Sequence, residues 1–409
     1  MINLKSLEKI KKCVVPLKSR SLIKVVGQDA LKHLQGLTTN NLNRLKDNQS
    51  TNSSIYNGFL QSNGRLLFDS IISLDKEHHN GNPKPISMAP GSSGNGELDS
   101  FIIDIDSSIL NEAMAHLKQY KLRNKIDIVD VTENFYVYSI LDKTYKTVRD
   151  DSLFSQLEKD RCSVMMDPRH QIMGVRLLVP NNKQLAVEER LSKYESKEET
   201  IYNLFRISQG IPQGVKEYQW GNIIPLEYNF DLLNGVDFHK GCYLGQELTS
   251  RTHFTGLIRK RIFPVVMKVQ DVESTSVMDE AIIDPTKPPK ESLLFPKRIL
   301  NALNHDHPPS DSVLTVKNIS SKHHQQQQPS DETVKVGNES EIKTVSRSTD
   351  KFITGLHGVG LAMLKVDNID IFQLDNTVVH DKSNKELTVL PPCWISKLTS
   401  LQMPPQQVS

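Results

Sequence analysis

The chain has 409 residues, enough for two or three domains of ordinary size. Only 37% of them are hydrophobic and the mean hydropathy is −0.41, which points to polar insertions diluting a normal core. Fifty basic and 48 acidic residues leave a net charge of +2, so no global field argues for nucleic acid, and no apolar run is long enough to span a bilayer.

Four cysteines, Cys13, Cys162, Cys242 and Cys393, are widely separated and include no C-x-x-C pair. This argues against a disulfide scaffold and against a self-contained zinc or iron–sulfur site, and it implies a reducing compartment. Met1 to Leu22 carries Lys5, Lys9, Lys11, Lys12, Lys18 and Arg20 against the single acid Glu8, with Leu4, Leu7 and Ile10 at helical spacing. Residues 1–20 therefore suit an organelle presequence, although such segments are usually Arg- and Ser-rich. An ordinary basic first helix or a frayed end fits equally well.

From Ser21 the text turns globular. Leu22, Val25 and Val26 predict a strand broken by Gly27, and Asp29 to Leu37 a helix with Ala30, Leu31 and Leu34 on one face. Tyr56–Leu60 and Leu66–Leu74 read as strands joined by Gln61-Ser62-Asn63-Gly64, a hairpin signal because Asn-Gly tolerates positive φ. Residues 76–99, rich in Gly, Pro, Ser and Asn, read as a disordered solvent loop. A strand over Phe101–Ile105 and a helix over Asn111–Leu122 complete a first unit, 21–128. Its order suggests an α+β sheet rather than alternating βαβ units.

A second unit, 129–258, opens with Val129–Val131 and Phe135–Leu141. It continues through Val164–Arg169, a strand over Met173–Val179 and a helix over Thr200–Ile207 that ends at Gly210. The turn Ile211-Pro212-Gln213-Gly214 returns Pro225-Leu226-Glu227 towards the core. Then comes His239-Lys240-Gly241-Cys242-Tyr243-Leu244-Gly245-Gln246-Glu247, a thiol between two glycines. A thiol does chemistry as thiolate, a form favoured by a nearby cation such as Lys240 or by a helix N-terminus. Gly241 permits an unusual turn or a close approach, and Gln246 and Glu247 suit the first turn of a helix. On these residues alone, a functional thiol and a small buried filler weigh the same.

Arg259 to Met267 reads as a strand entering a third unit, 259–396, interrupted by a low-complexity segment at about 284–331 that is expected to be disordered. Its histidines, His305, His307, His323 and His324, read as compositional drift rather than a metal site. A hairpin over Thr333–Val336 and Ile342–Val345 and a buried strand over Gly358–Leu364 follow. Gly358-x-Gly360 lacks the later glycine and the helix of a dinucleotide site. Short strands without helices indicate a small β-barrel or sandwich, and 397–409 reads as a loose tail.

The run from Pro225 to Arg261 closely resembles the signature of the folate-binding YgfZ/GcvT-like family, centred on K-G-C-Y-x-G-Q-E and matched at every fixed position from Lys240 through Glu247. Supporting segments lie in the expected order. They are Leu22 to Leu42, the Gln61-to-Phe68 hairpin, Tyr120 to Lys125, Asp167-Pro168-Arg169, Arg206 to Pro212 and Gly358 to Leu364. The resemblance implies an α+β fold of three parts around a central folate-sized hole, with a C-terminal small β-barrel. It also implies tetrahydrofolate binding, with Asp69, Arg123, Glu227 and Gly241 on the folate side.

Within the family the run looks most like the mitochondrial iron–sulfur assembly branch. That implies a role in the mitochondrial matrix, maturing [4Fe–4S] client apoproteins such as aconitase, lipoate synthase and radical-SAM enzymes together with A-type iron–sulfur carrier proteins. Cys242 would be the functional thiol, flanked by Lys240, Tyr243, Gln246 and Glu247, and would ligate a [2Fe–2S] or [4Fe–4S] cluster shared transiently with a partner. A lone cysteine cannot fill a cluster's ligand set, so a second protein must supply the rest.

Aminomethyltransferases of this fold carry paired aspartates after the first hairpin, whereas Leu66-Leu67-Phe68-Asp69-Ser70 keeps only Asp69. The expectation is therefore an assembly factor rather than a turnover enzyme, with folate-dependent aminomethyl or one-carbon transfer as the alternative. Asp69 itself reads first as a solvent-facing or turn-capping residue at a strand end. A third reading is a scaffold with Arg251, Arg259, Lys260 and Arg261 as a basic contact face, although such charges are more often simply solvated.

Overall fold

A computed structural model of the chain describes residues 7–47, 53–75, 98–142, 152–255, 258–268, 294–303, 305–318, 350–371, 374 and 377–402. Two five-stranded sheets are built first. In one, β2 (Arg20–Gly27), β3 (Ser54–Leu60), β4 (Leu66–Leu74), β5 (Asp99–Asp106) and β6 (Ile126–Asp130) lie in the antiparallel order β3-β4-β5-β2-β6. Alternation divides the side chains between faces. On β5, Phe101, Ile103 and Ile105 pack with helices α1 (Ala30–Gln35) and α2 (Leu110–Gln119), while Ile102 joins the opposite core.

The other sheet has the order β10-β1-β7-β9-β8, formed by β1 (Lys12–Pro16), β7 (Phe135–Asp142), β8 (Ser163–Met166), β9 (Val175–Pro180) and β10 (Glu195–Ser196). Val175, Leu177 and Val179 pack with α3 (Ser152–Lys159) and α4 (Gln184–Arg190). The remaining faces of both sheets meet in one core with α5 (Glu199–Ser208). The layers thus run helix, sheet, shared core, sheet, helix. From there α6 (Gln246–Thr255) leads to the third unit.

That unit is a six-stranded antiparallel sheet in the order β12-β15-β16-β11-β14-β13. Its strands are β11 (Lys260–Met267), β12 (Thr315–Asn318), β13 (Lys351–Leu356), β14 (Val359–Lys365), β15 (Thr377–His380) and β16 (Glu386–Val389). It curls into a half-barrel, and Val313, just before β12, bridges Lys351 on β13.

Four expectations change. Residues 12–16 are a strand in the middle of a sheet, and Leu7 and Ile10 are buried as well, so a division at residue 20 would remove part of the core. The β-branched pair Val14-Val15 outweighs a helical spacing carried by only three residues. Strand β6 completes the first sheet, so a boundary at 128/129 falls inside a strand. Within the segment expected to be disordered, Leu294, Phe295, Ile299, Leu300 and Leu314 are buried, α7 (Lys297–Ala302) forms, and β12 joins the sheet. The supposed loose tail begins inside α8 (Ile395–Gln402), whose Lys397 Nζ donates to the Leu232 carbonyl at 2.8 Å. The expected hairpin at 333–345 and residues 76–97 of the expected loop lie outside the described residues.

Charges occupy inward positions between the two facing sheets. Asp104 on β5 accepts from Arg20 Nε and Arg176 Nε, each at 2.6 Å. Asp167 takes Arg169 in a fork at 2.9 and 2.6 Å, and Glu217 takes Arg206 at 2.7 and 2.6 Å. Removing one partner of a buried pair leaves an uncompensated charge, which costs about 3–5 kcal/mol. Asp104→Asn should therefore lower unfolding stability by about that amount in denaturant titration, because two buried guanidinium groups lose one carboxylate.

His170 supplies an acid-sensitive point. Its Nδ1 accepts the Ile172 N–H at 3.2 Å, and burial pushes its pKa down to about 4, with Lys397 acting in the same direction. The unfolded chain takes up this proton near pH 6.5, so the contribution to stability is complete above that pH and is lost as pH falls towards 4. An asparagine oxygen can accept the same N–H without titrating. His170→Asn should therefore reduce the fall in melting temperature between pH 6.5 and 4.

Candidate functional site

The motif loop is stitched to the segment that follows α1. Thr39 Oγ1 donates to the Gly235 carbonyl at 2.6 Å and accepts the Gly58 N–H at 2.8 Å. Asn40 Nδ2 donates to the carbonyls of Tyr56 and Asn234 at 2.8 and 2.7 Å. The Asp237 N–H reaches the Thr39 carbonyl at 3.1 Å, and the Leu244 N–H reaches the Gly36 carbonyl at 2.9 Å. Lys240 Nζ donates to the carbonyls of Gln35, Thr38 and Asn40 at 2.8, 2.6 and 2.9 Å. The ammonium also lies 4.9 Å from the Tyr243 ring centroid. Burial pushes the Lys240 pKa down to about 7, opposed by Asp237.

On this mount Cys242 is exposed, while Cys13 and Cys162 are buried and Cys393 is half-buried. Burial raises the Cys13 thiol pKa to about 12 and that of Cys393 further still, so both are held as neutral thiols. Gly241 is exposed too, and a Cβ placed on it would meet nothing within 4 Å. Tyr243 turns inward, and Gln246 Oε1 accepts its backbone N–H at 3.1 Å, closing the turn into α6. Glu247 is exposed, 3.9 Å from Arg251 one turn along the helix. Lys240, expected to act on the thiol through its charge, has its three N–H groups engaged by carbonyls.

Two glycines let the loop close on the first hairpin. Gly245 has φ +77°, and a Cβ there would overlap the Gln61 carbonyl oxygen. Gly64, at φ +82°, leaves no room for a Cβ, which would lie 2.5 Å from Leu248 Cβ and 2.9 Å from the Gly245 oxygen. On the outer side, Phe238 stacks on His253 at 3.5 Å between ring centroids, and Phe254 beside them is 67% exposed. The thiol loop and α6 therefore carry surface aromatics.

The four residues expected on the folate side do not share one environment. Asp69 is buried between the sheets rather than facing solvent at a strand end, and its Oδ1 accepts the Gly214 N–H at 3.0 Å. Burial raises its pKa, opposed by Arg20, that N–H and Arg169. Arg123 is exposed in the turn after α2, and Gly241 is exposed in the thiol loop. Glu227 is half-buried in the turn Pro225–Tyr228, with its pKa raised by burial against the charges of Lys260, Arg65 and Lys351.

The interior around Asp69 holds residues that sequence reasoning had not assigned. Tyr56 and Tyr218 pair through their hydroxyls at 2.8 Å, and Tyr202 receives Arg169 Nη2 at 2.7 Å. A signal for this interior exists in the sequence: charges at alternating positions of apolar strands, as in Ile103-Asp104-Ile105 and Val175-Arg176-Leu177. Of the four residues expected to form a basic contact face, Arg251 and Arg259 are exposed and Lys260 is half-buried, but the fourth is not at the surface. Arg261 is buried and holds Asp231 in a fork at 2.9 and 2.7 Å.

No family model matches the chain. It is 92% identical over 409 residues, all of both chains, to a Dictyostelium discoideum protein named iron-sulfur cluster assembly factor IBA57 homolog, mitochondrial. It is 36% identical over 257 residues to the Mus musculus iron-sulfur cluster assembly factor IBA57, mitochondrial, covering 62% of this chain and 65% of that one. With the Homo sapiens protein of the same name it shares 34% identity over 256 residues, covering 61% and 65%. Among solved structures, the glycine cleavage system aminomethyltransferase T from Bartonella henselae superposes with a TM-score of 0.54. The match covers 93% of this chain and 86% of that one at 10% identity, a likeness of fold. The expected GcvT-like α+β architecture is thus the observed one.

The loop geometry separates its glycines. Gly245→Ala combines a strained φ with a backbone overlap and should destabilise the protein by about 1–3 kcal/mol. Gly241→Ala should leave the melting temperature unchanged. Thermal unfolding of the two variants checks both.

Proposed function

The chain belongs to the IBA57 family of mitochondrial iron–sulfur cluster assembly factors, and on that premise we propose that Cys242 is the thiol through which it handles a cluster in transit. Its compartment is the mitochondrion, and the matrix is where this role would be exercised. One observation carries the reading: of four cysteines, only Cys242 is exposed, raised on a loop anchored at both ends.

Among the described residues, no group of three or more His, Cys, Asp or Glu side chains is placed to hold a metal. One thiolate fills one position of a cluster that normally takes four protein ligands. The [2Fe–2S] or [4Fe–4S] cluster is accordingly cargo, and an A-type carrier protein supplies the remaining thiolates before [4Fe–4S] client apoproteins receive it. Aconitase, lipoate synthase and radical-SAM enzymes are the clients proposed.

Tetrahydrofolate is the companion ligand. The interior supports it chemically, because a buried carboxyl at Asp69 and the hydroxyl-bearing rings of Tyr56 and Tyr218 suit the N–H groups and flat face of a pterin. Folate would bring one-carbon chemistry, but Asp69 is a single carboxyl, and aminomethyl transfer remains the weaker reading.

Anaerobic reconstitution with an A-type carrier tests the proposal. The parent protein should yield a cluster absorbance and a stable complex with the carrier, and Cys242→Ala should lose both. An undiminished cluster on the Cys242→Ala protein would remove the thiol from the mechanism.

A further inference from the structure

We infer that Lys240 is a positioning residue, whose ammonium fills a nest of backbone carbonyls at the end of α1 and so fixes the span that presents Cys242. The inference rests on the cluster-handling role of Cys242 proposed above.

Helix α1 ends at Gln35, and the last carbonyls of a helix have no partner within it. The next N–H groups turn back to earlier residues: Gly36 to Lys32, and Leu37 and Thr38 to Leu34. The Gln35 carbonyl is left to accept from Lys240, together with the carbonyls of Thr38 and Asn40. An ammonium has three N–H donors, and three carbonyl oxygens within 2.6–2.9 Å use all of them, so the nest favours the protonated form against the burial that pulls its pKa down. The negative end of the helix and the Tyr243 ring face favour the same cation.

The far side of the thiol is held to the same turn by the Leu244 N–H on the Gly36 carbonyl. Gly241, Cys242 and Tyr243 therefore form a three-residue span with both feet on residues 35–40, and Cys242 stands at its crest. A cation whose donors are all spent on carbonyls has none left to give a thiolate. Geometry rather than charge is what Lys240 contributes. A guanidinium has the charge but is planar and cannot match three converging carbonyls.

Hydrogen–deuterium exchange of the full-length protein, read without any cluster, tests the anchor in two variants. Lys240→Met keeps most of the aliphatic stem and removes the donors, whereas Lys240→Arg keeps the charge and loses the fit. In both, amides over 236–245 should exchange roughly tenfold faster while those of β11 stay unchanged. Cluster yield with the carrier should fall in both. Parent-like protection in Lys240→Met overturns the inference, as does recovery of protection and yield in Lys240→Arg. Equal loss of protection in β11 overturns it by making Lys240 a residue of the whole fold. Lost protection with undiminished cluster yield also overturns it. Failure of the parent to form a cluster would count against the proposed function, while the exchange data would still judge the anchor.

Discussion

Pairing of charge between two facing sheets is the constraint on which the rest depends. Asp104 is shared by Arg20 of its own sheet and Arg176 of the opposite one, so one carboxylate ties the two layers together. Ions withdrawn from water cost several kcal/mol each unless their partners are held in good geometry, which fixes how far apart the sheets can lie. Arg169 extends the arrangement through Tyr202 and Gln213 to α5 and the turn beyond it. The interior thus stays polar between two otherwise apolar sheet faces.

The thiol loop draws its rigidity from the junction of the three parts. Asn234, in the left-handed region at φ +59°, accepts Asn40 Nδ2 on its carbonyl. Its own Nδ2 donates to the carbonyls of Pro168 and Arg169 at 3.1 and 3.3 Å, and its Oδ1 accepts Lys397 Nζ at 2.7 Å. Asparagine tolerates this backbone conformation better than most residues, so one residue can serve all three directions, through its carbonyl and through both ends of its side-chain amide. An exposed thiol needs such a base, because a span that wandered would present its sulfur in many orientations.

Local patterns were legible in the sequence, and long-range ones were not. The hairpin at Gln61–Gly64 and the helix over Thr200–Ile207 could be read from turn chemistry and spacing, and the motif around Cys242 identified the fold. Strand β1 was obscured by the lysines around it, and the buried strands held charges whose partners lie elsewhere in the chain. Lys240 is the clearest case: its first acceptor, Gln35, lies 205 residues away, so no spacing rule could have disclosed the nest. Nor could sequence distinguish a buried Cys242 from an exposed one, since that depends on what the hairpin and α1 leave uncovered.

The place of β1 in its sheet has a consequence for how the molecule comes into being. Lys12–Pro16 is synthesised before either neighbour: its antiparallel partner, Phe135–Asp142, follows more than a hundred residues later, and its other neighbour later still. Contacts so distant in sequence close slowly. A chain emerging amino end first, from a ribosome or through a membrane pore, carries an apolar strand with both edges open until Phe135–Asp142 has appeared, and with one edge open until Glu195–Ser196 follows. Maturation of this protein is therefore exposed to aggregation over that interval, and chaperone protection would matter most there.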